Sequence, residues 1–465
     1  MNIIQKTRTY WLPLISLAIP AMMESLLQSI VGFVDSLFIS KLGLVEVASV
    51  GMANAILQIY FAVFLATGTA ATVLVAAYTG ANDSQKVKKV ISHSIILTIV
   101  IGIVFGILSF FFAEHMFRLM GANEHVLQTG IVYFQIVATP SIFISMMFTL
   151  GAIVRGTGDT KTPMRIGLWM NGIHIILDYI FIFGVCFEGL GIIGAGIATV
   201  FARIFGVILL FIHLKKKQLL VFSTDMWTFQ KSVMLQFVRL SIPSSMERLF
   251  MRFGQIIYFG MIVRMGTEVY AAHTLTGNFT LFSSIVGTGL ATATTTLVGK
   301  SLGAGQYNEA KAYSLISIVC TSVMMTSVTF FLFLTSPLTA CVFTHNETVI
   351  SLIVAVLGID TITQPATAIV TILTSVLQAN KDAKFPMYVT AFGIWAIRTV
   401  GVYMLGIHFG LGLIGVWLSI AIDNYVRAAL LYWRYRSLTW RGGIIHIRKR
   451  VGNLATLVRE RHYIV

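Results

Sequence analysis

The stretch Asp159-Thr160-Lys161-Thr162-Pro163-Met164 returns in the second half of the chain as Asp382-Ala383-Lys384-Phe385-Pro386-Met387. The two copies lie 223 residues apart, and the same spacing relates Leu17-Ala18-Ile19-Pro20 to Leu240-Ser241-Ile242-Pro243. It continues without gaps over most of the two halves and shortens by two residues near their ends. A constant internal spacing of this kind indicates repeated structural units. The chain is therefore predicted to consist of two homologous halves.

The composition around this repeat is that of a membrane protein. Hydrophobic residues make up 57% of the 465 positions, charged residues make up 11%, and the mean hydropathy is +0.85. About a quarter of the residues of a soluble domain are charged, so lipid is the expected solvent. Apolar runs of the ~20 residues that cross a bilayer recur along the chain. The predicted spans are 14–39, 49–79, 90–113, 128–153, 164–185, 190–213, 235–263, 270–300, 313–336, 350–377, 386–408 and 411–433.

Lysine and arginine are distributed unevenly between alternate loops. One side of the predicted membrane carries 24 of them, and the other side carries Lys41, Arg118 and Arg264. Because basic loops stay in the cytoplasm, both termini are predicted to be cytoplasmic in a bacterial or archaeal inner membrane. The net charge of +15 is then explained by topology and by attraction to anionic membrane lipid. A nucleic-acid partner is not needed.

The predicted fold class is an all-α membrane protein with about twelve transmembrane helices in two six-helix bundles. The expected divisions are an N-lobe at 1–213, a cytoplasmic connecting loop at 214–234, a C-lobe at 235–433 and a basic cytoplasmic tail at 434–465. With six helices per half, both halves begin on the same side, so the repeat is parallel. Two such bundles enclose a central cavity and can rock for alternating access. This favours a transporter, with a monomer as the default.

Two acidic residues inside the predicted spans are the strongest candidates for a functional site. An ionised side chain at a helix centre costs on the order of 2.5–3.5 kcal/mol or more, and intramembrane acids are therefore functional by default. Asp35 and Asp178 have no Lys or Arg one helical turn away, and the repeat places Tyr258 and Gly401 at the matching positions of the second half. An unpaired acid in such surroundings can load and release a proton. We expect both residues to couple transport to a proton or another cation.

Three neighbours of these acids have two interpretations each. His174 precedes Asp178 by one turn on the same helix face, so it either shares the proton or packs as a buried polar group. Tyr133 either supplies a hydroxyl to the site or packs. Thr199 either joins the hydrogen-bond network or bonds to the backbone of its own helix.

The second half also carries charged candidates in its predicted spans. One interpretation is a buried ion pair, with Arg252 or Arg398 joined to Asp360 or Glu247. The other is a polar cavity wall that meets charged cargo. A further set near predicted helix ends is expected to reach the interface or to pair locally. That set is Arg203, Arg239, Asp423 and Arg427.

Taken together, these motifs resemble the multidrug and toxic compound extrusion (MATE) family. The resemblance runs from about residue 12 to 435 and rests on several stretches. They are Ile19-Pro20, Asp35-Ser36-Leu37-Phe38-Ile39-Ser40-Lys41-Leu42-Gly43, the run from Leu150 to Lys161, Leu177-Asp178-Tyr179, the run from Gly189 to Thr199, and Ala271-Ala272-His273. It implies a V-shaped pair of lobes and cation-coupled antiport that exports amphipathic, often cationic drugs.

The resemblance also implies a coupling site. One branch of the family, which is DinF-like, couples through aspartates on its first and fifth helices, and Asp35 and Asp178 match that pattern. The branch often has Asn where this chain has His174. Another branch uses carboxylates on helices seven and ten, where this chain has Met251 and Thr367. The resemblance thus implies H⁺ as the coupling ion, with Na⁺ at Asp35 and Asp178 as the alternative, and no cofactor.

Two other functions compete with drug export. A flippase for lipid-linked oligosaccharide or another anionic lipid of the same superfamily would use Arg248, Arg252 and Arg398, because arginine binds phosphate through paired hydrogen bonds. A membrane-embedded enzyme would need a catalytic motif, and the sequence carries no Gly-rich phosphate loop and no His-Glu-x-x-His. We expect the chain not to be an enzyme.

Overall fold

The structure is a computed structural model that describes residues 3–185, 188–221 and 229–438. Every regular element in these ranges is helical, and they contain no strand. The middle of the predicted connecting loop and most of the predicted basic tail lie outside the described residues.

Seven helices come from the first half of the chain. They are α1 (Ile3–Ser40), α2 (Leu44–Gly80), α3 (Ser84–Leu119), α4 (Glu124–Ala138), α5 (Ser141–Gly156), α6 (Lys161–Phe183) and α7 (Gly191–Lys216). The second half supplies α8 (Lys231–Arg264), α9 (Thr267–Gly303), α10 (Tyr307–Phe343), α11 (Glu347–Ala379), α12 (Lys384–Phe392) and α13 (Gly412–Ser437). Helix α12 continues as π-helical turns over Gly393–Thr399 and Val402–His408.

The helices follow the predicted spans closely, although many are longer at one or both ends. Among the described residues, ten helices are long and apolar enough to cross a membrane. The pair α4 and α5 makes an eleventh span. The remaining long helix, α8, is not apolar enough to qualify, because it carries Arg239, Glu247, Arg248 and Arg252 along its length. The prediction of about twelve spans is therefore supported by apolarity for eleven, and α8 is the polar exception.

The fourth predicted span, 128–153, is broken rather than continuous. Helices α4 and α5 meet at an angle of 47° across Thr139 and Pro140. Proline lacks a backbone N–H and disfavours helical geometry in the residue before it, so it is a common place for a kink. This kink was not predicted from the sequence.

The two halves exchange helices on the side of the basic loops, which we call the basic side. There, Phe237 and Leu240 of α8 belong to the apolar core of the first half. In the same way, Leu14 and Ala18 of α1 belong to the apolar core of the second half. The first turns of α1 and α8 are thus packed into the opposite half, which ties the two halves together at this end.

The other end of the molecule, which we call the opposite side, has separate cores. One core draws its residues from the first half alone, around Tyr60, Phe64 and Phe134. The other draws its residues from the second half alone, around Tyr258, Leu357 and Trp417. The halves are therefore joined on the basic side and packed independently on the opposite side.

Glycines allow the helices of the two halves to come close on the basic side. Gly303 of α9 lies against the backbone of Ala77 in α2. Farther from the basic end of α9, Gly289 lies against Met22 and Ala18 of α1. A side chain at either glycine would collide with the facing helix. The hydrogen bond from Lys300 Nζ to the Thr157 carbonyl, 2.7 Å long, also joins the halves here.

Candidate functional site

Two acids and a histidine meet near the opposite-side ends of α1 and α6. Asp35 lies five residues before the end of α1, and Asp178 lies five residues before the end of α6. One ligating atom from each of Asp35, His174 and Asp178 lies within 4.8 Å of the other two. The sequence placed Asp35 and Asp178 on separate helices at similar depth, and the packing of α1 against α6 brings them together.

A chain of close polar contacts connects this acidic pair to α7. The His174 Nε2 atom is 3.4 Å from an Asp178 carboxyl oxygen and 3.1 Å from the Thr199 hydroxyl. The Thr199 hydroxyl in turn donates to the Ala195 carbonyl at 2.9 Å. Both interpretations of Thr199 therefore describe part of its environment, since it bonds to its own helix and also faces His174.

Asp178 is buried, Asp35 is half-buried, and both are short of hydrogen-bond donors. Asp178 is 1% exposed, and neither of its carboxyl oxygens has a hydrogen-bond partner among the described residues. One carboxyl oxygen of Asp35 is also buried and has no hydrogen-bond partner among the described residues. Two carboxylates this close repel each other, and the repulsion falls when one of them takes up a proton. The pair is chemically suited to binding a proton or a cation.

Tyr133 of α4 and Asn171 of α6 lie on the helices around the acids, and Asn171 was not among the candidates from the sequence. Tyr133 is buried on α4, and its ring belongs to the opposite-side core of the first half. Asn171 is buried three residues before His174, and its side-chain nitrogen has no partner among the described residues. The spacing Asn171, His174 and Asp178 follows one face of α6. That spacing is the signal from which Asn171 could have been found.

Arg203 was a candidate from the sequence, and its expected location was wrong. As a residue near a predicted helix end, it was expected to reach the interface or to pair locally. It lies instead in the middle of α7, and among the described residues its buried Nη1 atom has no partner. Its charge acts on Tyr133 and Asp35. The local sequence gave no signal for this, because the groups near Arg203 come from α1 and α4.

The second half contains a different kind of buried charge cluster. Asp423 of α13 is fully buried between two arginines, with 2.7 Å to Arg398 Nη2 and 3.1 Å to Arg427 Nε. Arg427 also donates to Asn424 at 2.8 Å. The prediction that Asp423 and Arg427 pair locally is confirmed, but the alternative that they reach the interface is wrong. The predicted pairing of Arg398 with Asp360 or Glu247 is also wrong, because Asp423 takes that place.

The other candidates of the second half lie apart. Asp360 accepts a 2.8 Å hydrogen bond from Gln364 of its own helix. Glu247 accepts a 3.1 Å hydrogen bond from Gln378. Arg252 is exposed and donates to Gln58 of the first half at 3.0 Å. Arg252 therefore has neither of its predicted acidic partners.

Helix α1 connects the acidic pair to the junction between the halves. Its first turns lie in the core of the second half. In its middle, Glu24 accepts hydrogen bonds of 3.0 and 3.1 Å from Arg155 of α5. Near its end, Asp35 faces Asp178. A change of charge at Asp35 therefore acts on the helix that touches both halves.

A bundle of membrane-spanning helices in two repeated halves, with an acidic site inside one of them, is the architecture of a secondary transporter. Comparison with known families agrees with this class. A family model described as MatE matches residues 20–180 and 243–404, which include most of both repeats. The chain belongs to the MatE family of multi-pass membrane transporters, as its resemblance predicted.

Individual relatives give the same result over nearly the full length. The chain is 29% identical to the uncharacterized transporter YisQ of Bacillus subtilis over 92% of this chain and 94% of YisQ. It is 26% identical to the probable multidrug resistance protein NorM of Thermotoga maritima over 95% of each chain. Members of this family are transporters rather than enzymes.

Solved structures show the same fold. A transporter of the MOP superfamily from Pyrococcus furiosus, described as having a binding pocket of reverse polarity, superposes with a TM-score of 0.84 at 24% identity. The match covers 91% of this chain and 95% of that one. A MATE protein in a bent conformation gives a TM-score of 0.85 at 23% identity, over 91% of this chain and 94% of that one.

Proposed function

We propose that this protein exports amphipathic, often cationic drugs in exchange for a coupling cation, which we take to be the proton. The observation that carries the proposal is the pair of facing carboxyl groups, Asp35 and Asp178. Neither oxygen of the buried Asp178 and one oxygen of the half-buried Asp35 have a hydrogen-bond partner among the described residues. A cationic compound and a proton would compete for this pair. The names of the relatives, which include probable multidrug resistance proteins, support drugs as the cargo.

The proposed cycle follows from the position of α1. With both acids ionised, the site attracts a cation that enters the cavity. Protons arriving from the opposite side neutralise Asp35 and Asp178, which removes the attraction for the cargo and the repulsion between the two carboxylates. Helix α1 then repacks against α6, and Pro20 offers a place where it can bend. Because α1 also contacts Gly289 of α9, the movement reaches the junction of the halves.

The donor set favours the proton over Na⁺. Sodium is a hard cation, and hard cations prefer oxygen ligands. The two carboxylates and the Thr199 hydroxyl would supply oxygen, but His174 presents a nitrogen between Asp178 and Thr199. His174 can instead pass or share a proton, since it is the side chain that titrates closest to neutral pH. We therefore place Na⁺ second.

We place the acidic site toward the outside of the cell and the joined ends of the halves toward the cytoplasm. The distribution of Lys and Arg supports this orientation. In this orientation the cavity between the halves would open to the outside, which is the direction of release. A monomer would suffice, because one chain supplies both lobes.

The lipid flippase is less well supported. Of the three arginines that motivated it, Arg398 pairs with Asp423, and Arg252 donates to Gln58 and Gln255. A phosphate-binding site would need these guanidinium groups to be available together.

The test is ethidium export from proteoliposomes that contain the purified protein. A proton gradient and a sodium gradient are imposed separately, and wild type is compared with the double variant Asp35→Asn/Asp178→Asn. We expect the proton gradient to drive export by wild type and not by the double variant. Glu114→Gln, which changes an exposed acid paired with Arg118, is the matched control and should transport normally. Wild-type export by the double variant would refute the proposal.

A further inference from the structure

His93 lies buried near the basic-side end of α3 and joins that helix to the start of α8. It is 1% exposed. Its Nδ1 atom is 2.8 Å from the Lys89 carbonyl of its own helix. Its Nε2 atom accepts a 2.8 Å hydrogen bond from the backbone N–H of Gln230, the residue before α8. The Phe229 ring lies beside it, with 6.2 Å between the ring centres. Both ring nitrogens of His93 therefore have a partner.

These two contacts require His93 to be neutral. A backbone N–H can only donate, so Nε2 is the acceptor, and the ring proton lies on Nδ1, which donates to the Lys89 carbonyl. A second proton would sit on Nε2 and point at the N–H of Gln230. Protonated His93 therefore cannot keep its bond to Gln230. Histidine is the side chain whose charge changes closest to neutral pH, so acid is expected to break this bond.

The start of α8 depends on an acceptor from another helix. Gln230 is the N-cap residue of α8, its side chain makes no capping hydrogen bond, and the first turn contains no acid. In a capping box, a Glu or Gln three residues after the N-cap accepts from the N-cap N–H. Here that residue is Val233, and His93 supplies the acceptor instead. His93 thus fastens the end of the predicted connecting loop to the first half.

The charges around His93 oppose its protonation in this position. The helices packed against α3 are α2, α4, α5 and α8. On the basic side, α4 brings no titratable group, because it lies beside the other end of α3. The groups that the other three helices and α3 itself bring there are Tyr78, Lys86, Lys88, Lys89, Arg155, Lys231 and Arg239.

The acids of this region are already bound elsewhere. Asp83 is 2.7 Å from Lys86, and Glu24 binds Arg155. Among the described residues, no acid forms an ion pair with His93. The start of a helix is also the positive end of its dipole, where a cation is unfavourable. A proton on His93 would therefore meet the N–H of Gln230, the dipole of α8 and the charge of Lys231 together.

We propose that His93 is a proton-sensitive latch, which holds the start of α8 against α3 at neutral pH and releases it when the basic side becomes acidic. The released state binds one more proton than the latched state, so a falling pH favours release. Release is confined to the first turn, because Phe237 and Leu240 hold the following turns in the apolar core of the first half. This inference goes beyond the proposed export function and does not depend on it.

The experiment measures the mobility of the start of α8 with a nitroxide spin label. The label is attached to Ser232→Cys, an exposed position in the first turn of α8, after the three native cysteines have been replaced by alanine. Electron paramagnetic resonance spectra of the purified, detergent-solubilised full chain are recorded at about pH 8 and about pH 5, on either side of the range in which histidine changes its charge.

Three variants are compared in this labelled background. His93→Gln keeps an acceptor for the N–H of Gln230 but has no charge to gain. His93→Leu removes both hydrogen bonds. His115→Gln changes an exposed histidine at the other end of α3 and is the matched control.

The label should become more mobile in acid only where residue 93 is a histidine. In the background, we expect the ratio of mobile to immobile label to rise about fivefold from pH 8 to pH 5, which corresponds to the loss of one hydrogen bond. His115→Gln should show the same rise. His93→Gln should stay immobile at both pH values, and His93→Leu should be mobile at both.

Two results would overturn the inference. A background label that stays immobile at low pH would show that His93 is a fixed cap. An equal rise in His93→Gln would assign the pH response to another group or to general unfolding in acid. The spectra do not involve transport, so either result leaves the proposed export intact. Conversely, absent ethidium export would refute antiport while the spectra still decide whether His93 is a latch.

Discussion

The two halves of this transporter descend from one repeat, yet they bury their carboxylates in opposite ways. In the first half, Asp35 and Asp178 face each other, and among the described residues no Lys or Arg forms an ion pair with either of them. In the second half, Asp423 is held between Arg398 and Arg427. The first arrangement leaves charge that a proton or a ligand can neutralise. The second is neutralised by the chain itself.

This difference between the halves shows where a binding site can lie in a protein built from two repeats. A buried carboxylate between two arginines has little reason to change its protonation, because both partners favour its charge. A pair of carboxylates without cations changes its interactions with each proton that it gains. The second half therefore keeps the charge of its buried carboxylate constant. The first half can change the charge of its carboxylates by binding a proton.

The largest expected effect is on the stability of the second half. Asp423→Asn leaves Arg398 and Arg427 close together without a carboxylate between them. Removing one partner from a buried ion pair costs about 3–5 kcal/mol. We expect a large fall in the thermal unfolding midpoint of the purified protein, followed by the fluorescence of a thiol or tryptophan probe. An unchanged midpoint would mean that the cluster is not a stabilising ion pair.

The corresponding change in the first half should spare stability and remove function. Asp178→Asn keeps the shape of the side chain and removes a charge that is paired with no Lys or Arg among the described residues and whose contact with His174 is 3.4 Å long. We expect the unfolding midpoint to stay level or rise, while proton-driven ethidium export falls by about tenfold or more, which corresponds to at least about 1.4 kcal/mol of lost driving interaction. Loss of both stability and export would make Asp178 a structural residue and would erase the contrast.

A third prediction concerns the link between α1 and the junction of the halves. In Gly289→Val the new side chain meets Met22 and Ala18 of α1. Overpacking of this kind costs roughly 1–3 kcal/mol, and it should slow export without changing the affinity for ethidium. Gly277→Val on the same helix has no neighbour within 4 Å of the new Cβ, so it is the matched control. Equal effects of the two substitutions would show that the contact with α1 is unimportant for transport.

The smallest effect on stability is expected at Asp159, in the loop that is repeated at Asp382 in the second half. Asp159 is partly buried, which by itself raises the pKa of its carboxyl. Hydrogen bonds from the Thr162 hydroxyl and backbone N–H outweigh this, and His213 and Lys217 add to them, so the pKa is lowered. A lowered pKa stabilises the folded state above the ordinary value of the carboxyl, near pH 4, and the contribution is lost as the pH falls through the lowered value.

Asp159→Asn should therefore cost about 1 kcal/mol at neutral pH, in the range of a helix-capping residue, and less at acidic pH. The readout is the unfolding midpoint of wild type and variant at both pH values. The matching residue of the second half, Asp382, binds Arg434 at 2.8 Å instead of a histidine. Asp382→Asn should cost more than Asp159→Asn. A larger loss of stability in Asp159→Asn than in Asp382→Asn would contradict the expectation that Arg434 is a stronger ion-pair partner than His213.

The sequence predicted the features that depend on local composition and on the repeat. Apolar runs predicted the helices, and the absence of nearby Lys or Arg predicted that Asp35 and Asp178 would be unpaired. The break at Pro140 was missed because proline also occurs inside unbroken helices of this chain, as at Pro20 and Pro243.

Partners between helices could not be predicted. Whether Arg203 faces lipid or Asp35, and whether Arg398 meets Asp360 or Asp423, depends on the rotation and packing of helices far apart in the chain. The positions of charged residues in the sequence do not show which of them face each other across different helices. The packing of α1 and α8 into the apolar core of the opposite half is a further case, because it depends on contacts between helices that are far apart in the chain.

The most direct test of the account measures protons. Tetraphenylphosphonium, an amphipathic cation, is added to purified protein in weakly buffered detergent solution, and the protons released are followed with a pH indicator. If the cation displaces protons from Asp35 and Asp178, we expect proton release by wild type and by Glu114→Gln, and none by Asp35→Asn/Asp178→Asn. Release that persists unchanged in the double variant would show that the exchanging site lies elsewhere and would contradict the central claim.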